Sequence, residues 1–153
     1  MARIGQPRDF KQKFRYLVEI DGIAHAGFGT ASGLTGELGV SEYREGGNMI
    51  AHKKPGLLTF PDVTLERGAT RDRDLYDWFK QAANAATGRG ETANRYKRTC
   101  DIVEVDNDGS EVARWTLYGA WVRTYTAGDW DSTSEDATME TVVLAIDRFD
   151  KTL

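Results

Sequence analysis

Residues 42–68, EYREGGNMIAHKKPGLLTFPDVTLERG, constrain the fold of this chain more than any other stretch. Charged side chains, a Gly46-Gly47 pair and a Pro55-Gly56 pair leave little apolar surface to bury. Flanks "VSEYRE" and "NMIAHKK" around Gly46-Gly47-Asn48 read as a hairpin or loop tip, so the segment from about 40 to 60 is an extended β-hairpin. An isolated two-stranded ribbon in water does not offset its own ordering entropy. It therefore needs either a packed neighbour or a partner chain.

The remainder alternates with period two. "KFRYLVEI" sets Phe14, Tyr16, Val18 and Ile20 against Lys13, Arg15 and Glu19, a strand with one buried face. Asp21-Gly22 is a tight hairpin signal leading into "IAHAGF". Glycine-rich "GFGTASGLTGELG" (27–39) predicts irregular or bulged backbone. Pro61 marks an edge or a break before "VTLE". Further along, "RTCDIVEV", the turn Asn107-Asp108-Gly109 and "SEVARWTLYGAWVRTY" form a hairpin, and in "METVVLAIDRFD" Val142, Leu144 and Ile146 share a face.

One helix interrupts the strands, at about 72–87. Leu75, Trp78, Phe79, Ala82 and Ala86 fall on one helical stripe, so the helix is a lid packing Leu75, Trp78 and Phe79 on a sheet. Thr70 or Asp72 caps its start, and Gly88 suits the left-handed C′ position. Many strands, one helix and no βαβ alternation predict a mainly β protein, an antiparallel sandwich or barrel with one packed helix. An arm, 1–12, precedes a single domain, 13–153.

Charge and motifs narrow the function classes. The formal net charge is −4, which disfavours sequence-independent grip on nucleic acid phosphates. With a single cysteine, Cys100, no internal disulfide forms, and the residue reads as a small buried hydrophobe. The N-terminus lacks the apolar core of a Sec-type signal, and no run approaches the ~20 apolar residues of a membrane span, so no membrane anchoring is expected.

No GxxxxGK loop, GxGxxG or GxSxG occurs. "DNDGSE" (106–111) resembles the start of a calcium loop but lacks its twelfth-position Glu; a hairpin turn accounts for it. Asp129, Asp131, Glu135 and Asp136 lie in a Ser/Thr loop with no positioned second carboxylate, and His25 and His52 stand alone. No catalytic residue, metal site or cofactor is expected.

Four pieces, "GLTGELGVSEYREGGN", "KKPGLLTFPDVTLERGAT", "DLYDWFK" and "TVVLAIDRFD", stand in an order and spacing that resembles the tail tube protein family of contractile phages and phage-derived extracellular injection systems. The resemblance covers about Phe14 to Phe149. It implies a structural subunit, not an enzyme. Six copies form a ring, rings stack into an inner tube, and the lumen carries DNA or protein cargo without strong binding. A contractile sheath, baseplate and tail-tip proteins are the implied partners. Assembly is expected in the bacterial cytoplasm, as part of a virion tail or an injection particle. The hairpin of about Glu42–Thr59 would reach a neighbouring subunit or ring, with Glu42, Tyr43, Arg44, Glu45, Asn48, Lys53, Lys54 and Pro55 at the interface and Gly46, Gly47 and Gly56 permitting tight backbone.

Two alternatives remain on the sequence alone. One is a type VI secretion-like tube protein, similar in fold and role. The other is a monomeric β-barrel binding a small ligand, with Trp115, Tyr118, Trp121 and Tyr125 lining its pocket.

Overall fold

The structure, a computed structural model, describes residues 16–23, 27–47, 49–69, 71–89 and 93–153. The proposed arm 1–12, Phe14, His25, Asn48 and Thr70 lie outside them. Among the described residues nine strands run in chain order: β1 (Tyr16–Ile20), β2 (Thr30–Ser32), β3 (Glu37–Tyr43), β4 (His52–Thr59), β5 (Val63–Gly68), β6 (Arg98–Val105), β7 (Glu111–Thr126), β8 (Met139–Ala145) and β9 (Arg148–Lys151). Helix α1 (Asp74–Ala86) and the one-turn α2 (Ala93–Tyr96) separate β5 from β6. The chain is mainly β and antiparallel throughout.

Seven strands form one sheet in the order β1-β6-β7-β8-β5-β2, with β9 also on β7; among the described residues β3 and β4 pair only with each other. Alternation decides which faces are buried. Val18 and Ile20, Val63 and Leu65, and Val142 and Leu144 point inward from β1, β5 and β8 onto one shared core with Leu117 and Val122. The sheet therefore curls round that core, and β1 and β2 end it on either side. Cys100 sits in the core, where burial pushes its thiol up to about 12.

Helix α1 closes the core, with Leu75 and Trp78 fully buried. Its start differs from the expected cap. Arg73 occupies the N-cap position, while the Asp72 carboxylate accepts the backbone N–H of Asp74 at 2.9 Å. Its end is a Schellman turn: Arg89 N–H donates to Asn84 O and Gly88 N–H to Ala85 O, with Gly88 at φ +72.

The stretch METVVLAIDRFD is two strands rather than one. β8 follows Trp121–Thr126 of β7 and β9 follows Trp115–Tyr118, with Ile146 and Asp147 between them. Residue Gly119, at φ +66, puts the matching kink in β7, and the Asp147 N–H still reaches Tyr118 O at 2.9 Å. The glycine-rich segment 27–39 is also less irregular than its composition suggests, since β2 pairs with β5 through Thr30–Glu66 and Ser32–Thr64. At DNDGSE the backbone closes a hairpin, with Asp106 N–H on Ser110 O and the Asp108 carboxylate holding the Ser110 hydroxyl at 2.6 Å.

Candidate assembly surface

β3 and β4 form a ribbon that stands off the core, and every residue of both strands is exposed. Eight residues of extended chain make it roughly 26 Å long. Glu42 lies opposite Lys53 and Tyr43 opposite His52, with Ser41 opposite Lys54 and Val40 opposite Pro55. One face of the outer half therefore carries Ser41, Tyr43, His52 and Lys54, and the other Val40, Glu42, Lys53 and Pro55.

Contacts within the ribbon are weak. The Tyr43 and His52 rings stand 5.4 Å apart, Lys54 Nζ lies 5.3 Å from the Tyr43 ring centre, and Lys53 is 3.9 Å from Glu42. An exposed ion pair contributes about 0–1 kcal/mol and an exposed cation–π contact about 0.5–1 kcal/mol. Ordering the ribbon costs about 1–2 kcal/mol per residue, so these contacts do not hold it by themselves.

A bulge shapes the ribbon at mid-length. Register passes from Leu38–Leu58 to Val40–Pro55, so Gly39 alone faces both Gly56 and Leu57. A Cβ on Gly56 would lie 3.1 Å from the Gly39 carbonyl, and one on Gly39 would lie 3.2 Å from Leu57 N. Backbones approach this closely only because neither residue has a side chain. Proline is tolerated at such a bulge, and β4 runs unbroken through Pro55-Gly56. At the tip Gly46 and Gly47 turn the chain, Gly47 at φ +82, with exposed Arg44 and Glu45 beside them.

Apolar content is the surprise. Leu38, Val40, Met49, Ile50, Leu57 and Leu58 are all exposed on this one element. They do not alternate cleanly, which is why the segment looks polar when read along the chain. Leu38 and Leu58 face each other across the ribbon, and Met49 and Ile50 sit side by side at its tip, exposed apolar groups of the kind that mark an interaction site.

The remaining anchors lie elsewhere. Phe79 is half-buried and stacks on Tyr125 at 6.1 Å, while the Trp78 indole N–H donates to Tyr96 O at 2.6 Å. The four aromatic residues of the ligand-barrel alternative do not converge. Tyr125 meets Tyr76, Trp121 meets Tyr96, Tyr118 lies under Arg148, and Trp115 lies by Lys151. Each is engaged with a separate neighbour.

One buried polar cluster went unread in the sequence. Arg67 and Glu140 are 3% and 4% exposed, face each other across β5 and β8, and approach to 3.5 Å. Asp72 stands 3.9 Å from the same guanidinium, tying the approach to α1 to the sheet. The signal was present: Arg67 continues the inward series Val63, Leu65, and Glu140 continues Val142, Leu144, with opposite charge. Among the described residues no group of His, Cys, Asp and Glu could hold a metal, and no helix is long and apolar enough to cross a membrane.

Known proteins agree with this architecture. A chain of the PVC extracellular contractile injection system, in its sheath–tube complex in the extended state, superposes with TM-score 0.77 at 23% identity, covering 97% of this chain and 93% of that one. A chain of the anti-feeding prophage cap gives 0.80 at 22%, covering 99% and 98%. Hcp1 from Flavobacterium johnsoniae gives 0.51 at 11%, covering 91% and 95%. No curated protein matches the sequence. The family T4-like virus tail tube protein gp19 matches residues 12–150. The curled antiparallel sheet, helix α1 and the exposed ribbon thus belong to a structural subunit: this chain is a member of the tail tube protein family.

Proposed function

We propose that the chain is the inner-tube subunit of a contractile tail or injection system, forming hexameric rings that stack into a conduit for DNA or protein cargo. The observation that carries this is the ribbon β3–β4, exposed along its whole length with six large apolar side chains that no other described residue covers. A surface of this kind is satisfied when a second copy covers it. Glu42, Tyr43, Arg44, Glu45, Lys53, Lys54 and Pro55 make the contacts, and Gly46, Gly47 and Gly56 give the backbone its course. The strands β1 and β2 end the long path of the sheet, and pairing them between neighbours covers those two edges while closing a ring.

A net charge of −4 suits a conduit, since like charge gives a polyanion no counterion-release attraction. The superposed chains come from a sheath–tube complex and a tube-terminating cap, which supports sheath and end-complex proteins as partners. Assembly takes place in the bacterial cytoplasm, before the particle is complete.

The test is Lys53→Glu with Lys54→Glu. Both side chains are exposed, so the protomer should fold normally and show the wild-type circular dichroism spectrum. Electron microscopy of the variant with its sheath and baseplate should show few or no tubes where the wild type gives many. Tubes at wild-type yield would remove the ribbon from the interface.

A further inference from the structure

A second exposed apolar anchor lies far from the ribbon. Trp130 is 78% exposed, in the loop 127–138 that joins β7 to β8. That loop carries Asp129, Asp131, Glu135 and Asp136 and no Lys or Arg. It is a built shape rather than a slack one. Asp131 Oδ1 takes the Thr133 hydroxyl at 2.7 Å and its backbone N–H at 3.0 Å, and the Ser134 N–H bonds Asp131 O. At its neck Gly128, at φ +120, lies against Thr138 and Met139, and Thr138 O accepts the Ala69 N–H at 2.8 Å. The loop thus holds Trp130 outward.

Register places this loop at the opposite end of the sheet from the ribbon. Thr126 pairs with Thr141, Gly68 with Met139 and Thr30 with Glu66 at one end. Ser32 pairs with Thr64, Val63 with Leu144 and Trp121 with Ala145 at the other. The ribbon leaves after Ser32 and returns before Val63. The loop bridges Thr126 to Met139. Between them lie the six residues of β5, about 17 Å of strand.

The two surfaces match in chemistry. The outer ribbon, 42–54, has Arg44, Lys53 and Lys54 against Glu42 and Glu45, and its tip presents Met49 and Ile50, 91% and 71% exposed. The loop offers only acid around one large apolar ring. We propose that the loop 127–138 of one copy receives the ribbon tip of the copy stacked above it, Trp130 against Met49 and Ile50, with its carboxylates toward Arg44, Lys53 and Lys54. This rests on the tube reading and names the surface that the ribbon docks on. Because the two surfaces differ and lie at opposite ends, the contact is head-to-tail, and repeating it generates an open stack rather than a closed pair.

Trp130→p-benzoylphenylalanine in the full chain, irradiated in assembled tubes, tests this. The exposed position makes the change compatible with folding, and the cross-linked peptide should fall within 42–54 of a second copy. In parallel, Asp129→Lys with Asp136→Lys should leave rings intact and cut tube yield about tenfold or more through like-charge contact. Adding Lys53→Glu and Lys54→Glu to that chain should restore stacking. Tubes whose cross-link maps elsewhere, or a loop reversal with wild-type tube yield, overturn the docking surface and leave the tube reading standing. Wild-type chain that forms no tube with its sheath and baseplate overturns both.

Discussion

Gly119 and Asp147 share one corner of the sheet, and a Cβ built on Gly119 would overlap the Asp147 carboxyl group. The corner is where β7 passes from its pairing with β9 to its pairing with β8. Gly119 stands at φ +66, so a side chain is disfavoured by its backbone as well as by its neighbour. Lys97 bonds Asp147 at 3.3 Å, fixing the carboxylate in place. Gly119→Ala is therefore expected to lower stability by about 1–3 kcal/mol, read as a lower urea midpoint at unchanged slope. An unchanged midpoint would mean that the kink is not needed.

Trp78 ties the helix to the segment after it, through a fully buried ring and its N–H bond to Tyr96 O at 2.6 Å. Trp78→Phe keeps an aromatic body but strands the Tyr96 carbonyl, with an expected loss of about 1–3 kcal/mol. Trp78→Ala adds a cavity and is expected to cost about 3–5 kcal/mol. Denaturant titration of both variants should give that order. Equal effects would place the weight on the N–H bond to Tyr96 rather than on ring packing.

The Arg67–Glu140 pair predicts an asymmetry. Glu140→Gln leaves a buried guanidinium short of its closest charge and should cost about 3–5 kcal/mol. Replacing both partners, as Arg67→Met with Glu140→Leu, should recover most of that. A double-mutant cycle by urea unfolding measures the coupling; additive losses would show that the two side chains act separately.

Glu111 supplies a pH test. Arg114 donates to its carboxylate at 2.5 Å and so holds it below its ordinary value of 4.5. The folded pKa lies below the unfolded one, so its contribution is present above about pH 4.5 and is lost as pH falls through the folded value. Carbon-detected NMR titration should show Glu111 titrating low in the wild type and returning toward 4.5 in Arg114→Gln. A curve unmoved by that substitution would remove Arg114 as the cause.

Local chemistry made much of the fold legible. Inward Val18, Ile20, Val142 and Leu144 follow from period-two alternation, the helix from Leu75 and Trp78 on one stripe, and its end from Gly88. The ribbon's existence followed from glycine placement between two strand-like flanks. Its apolar load did not, because Leu38, Met49, Ile50 and Leu57 break alternation and leave no periodic trace. Asp147 looked like one more residue of a continuous strand, since its partner Gly119 lies 28 positions away by the numbering.

By itself the sequence determined most element types and buried faces, because these depend on side-chain period and on turn residues acting within a few positions. The resemblance to the family rested instead on the order and spacing of four longer pieces. Tertiary structure alone decided that the ribbon stays exposed among the described residues, that Arg67 meets Glu140, and that Trp130 stands at the opposite end of the sheet from Met49. Those relations join residues distant along the chain through strand register, and register is set by the packing of the whole sheet on one core.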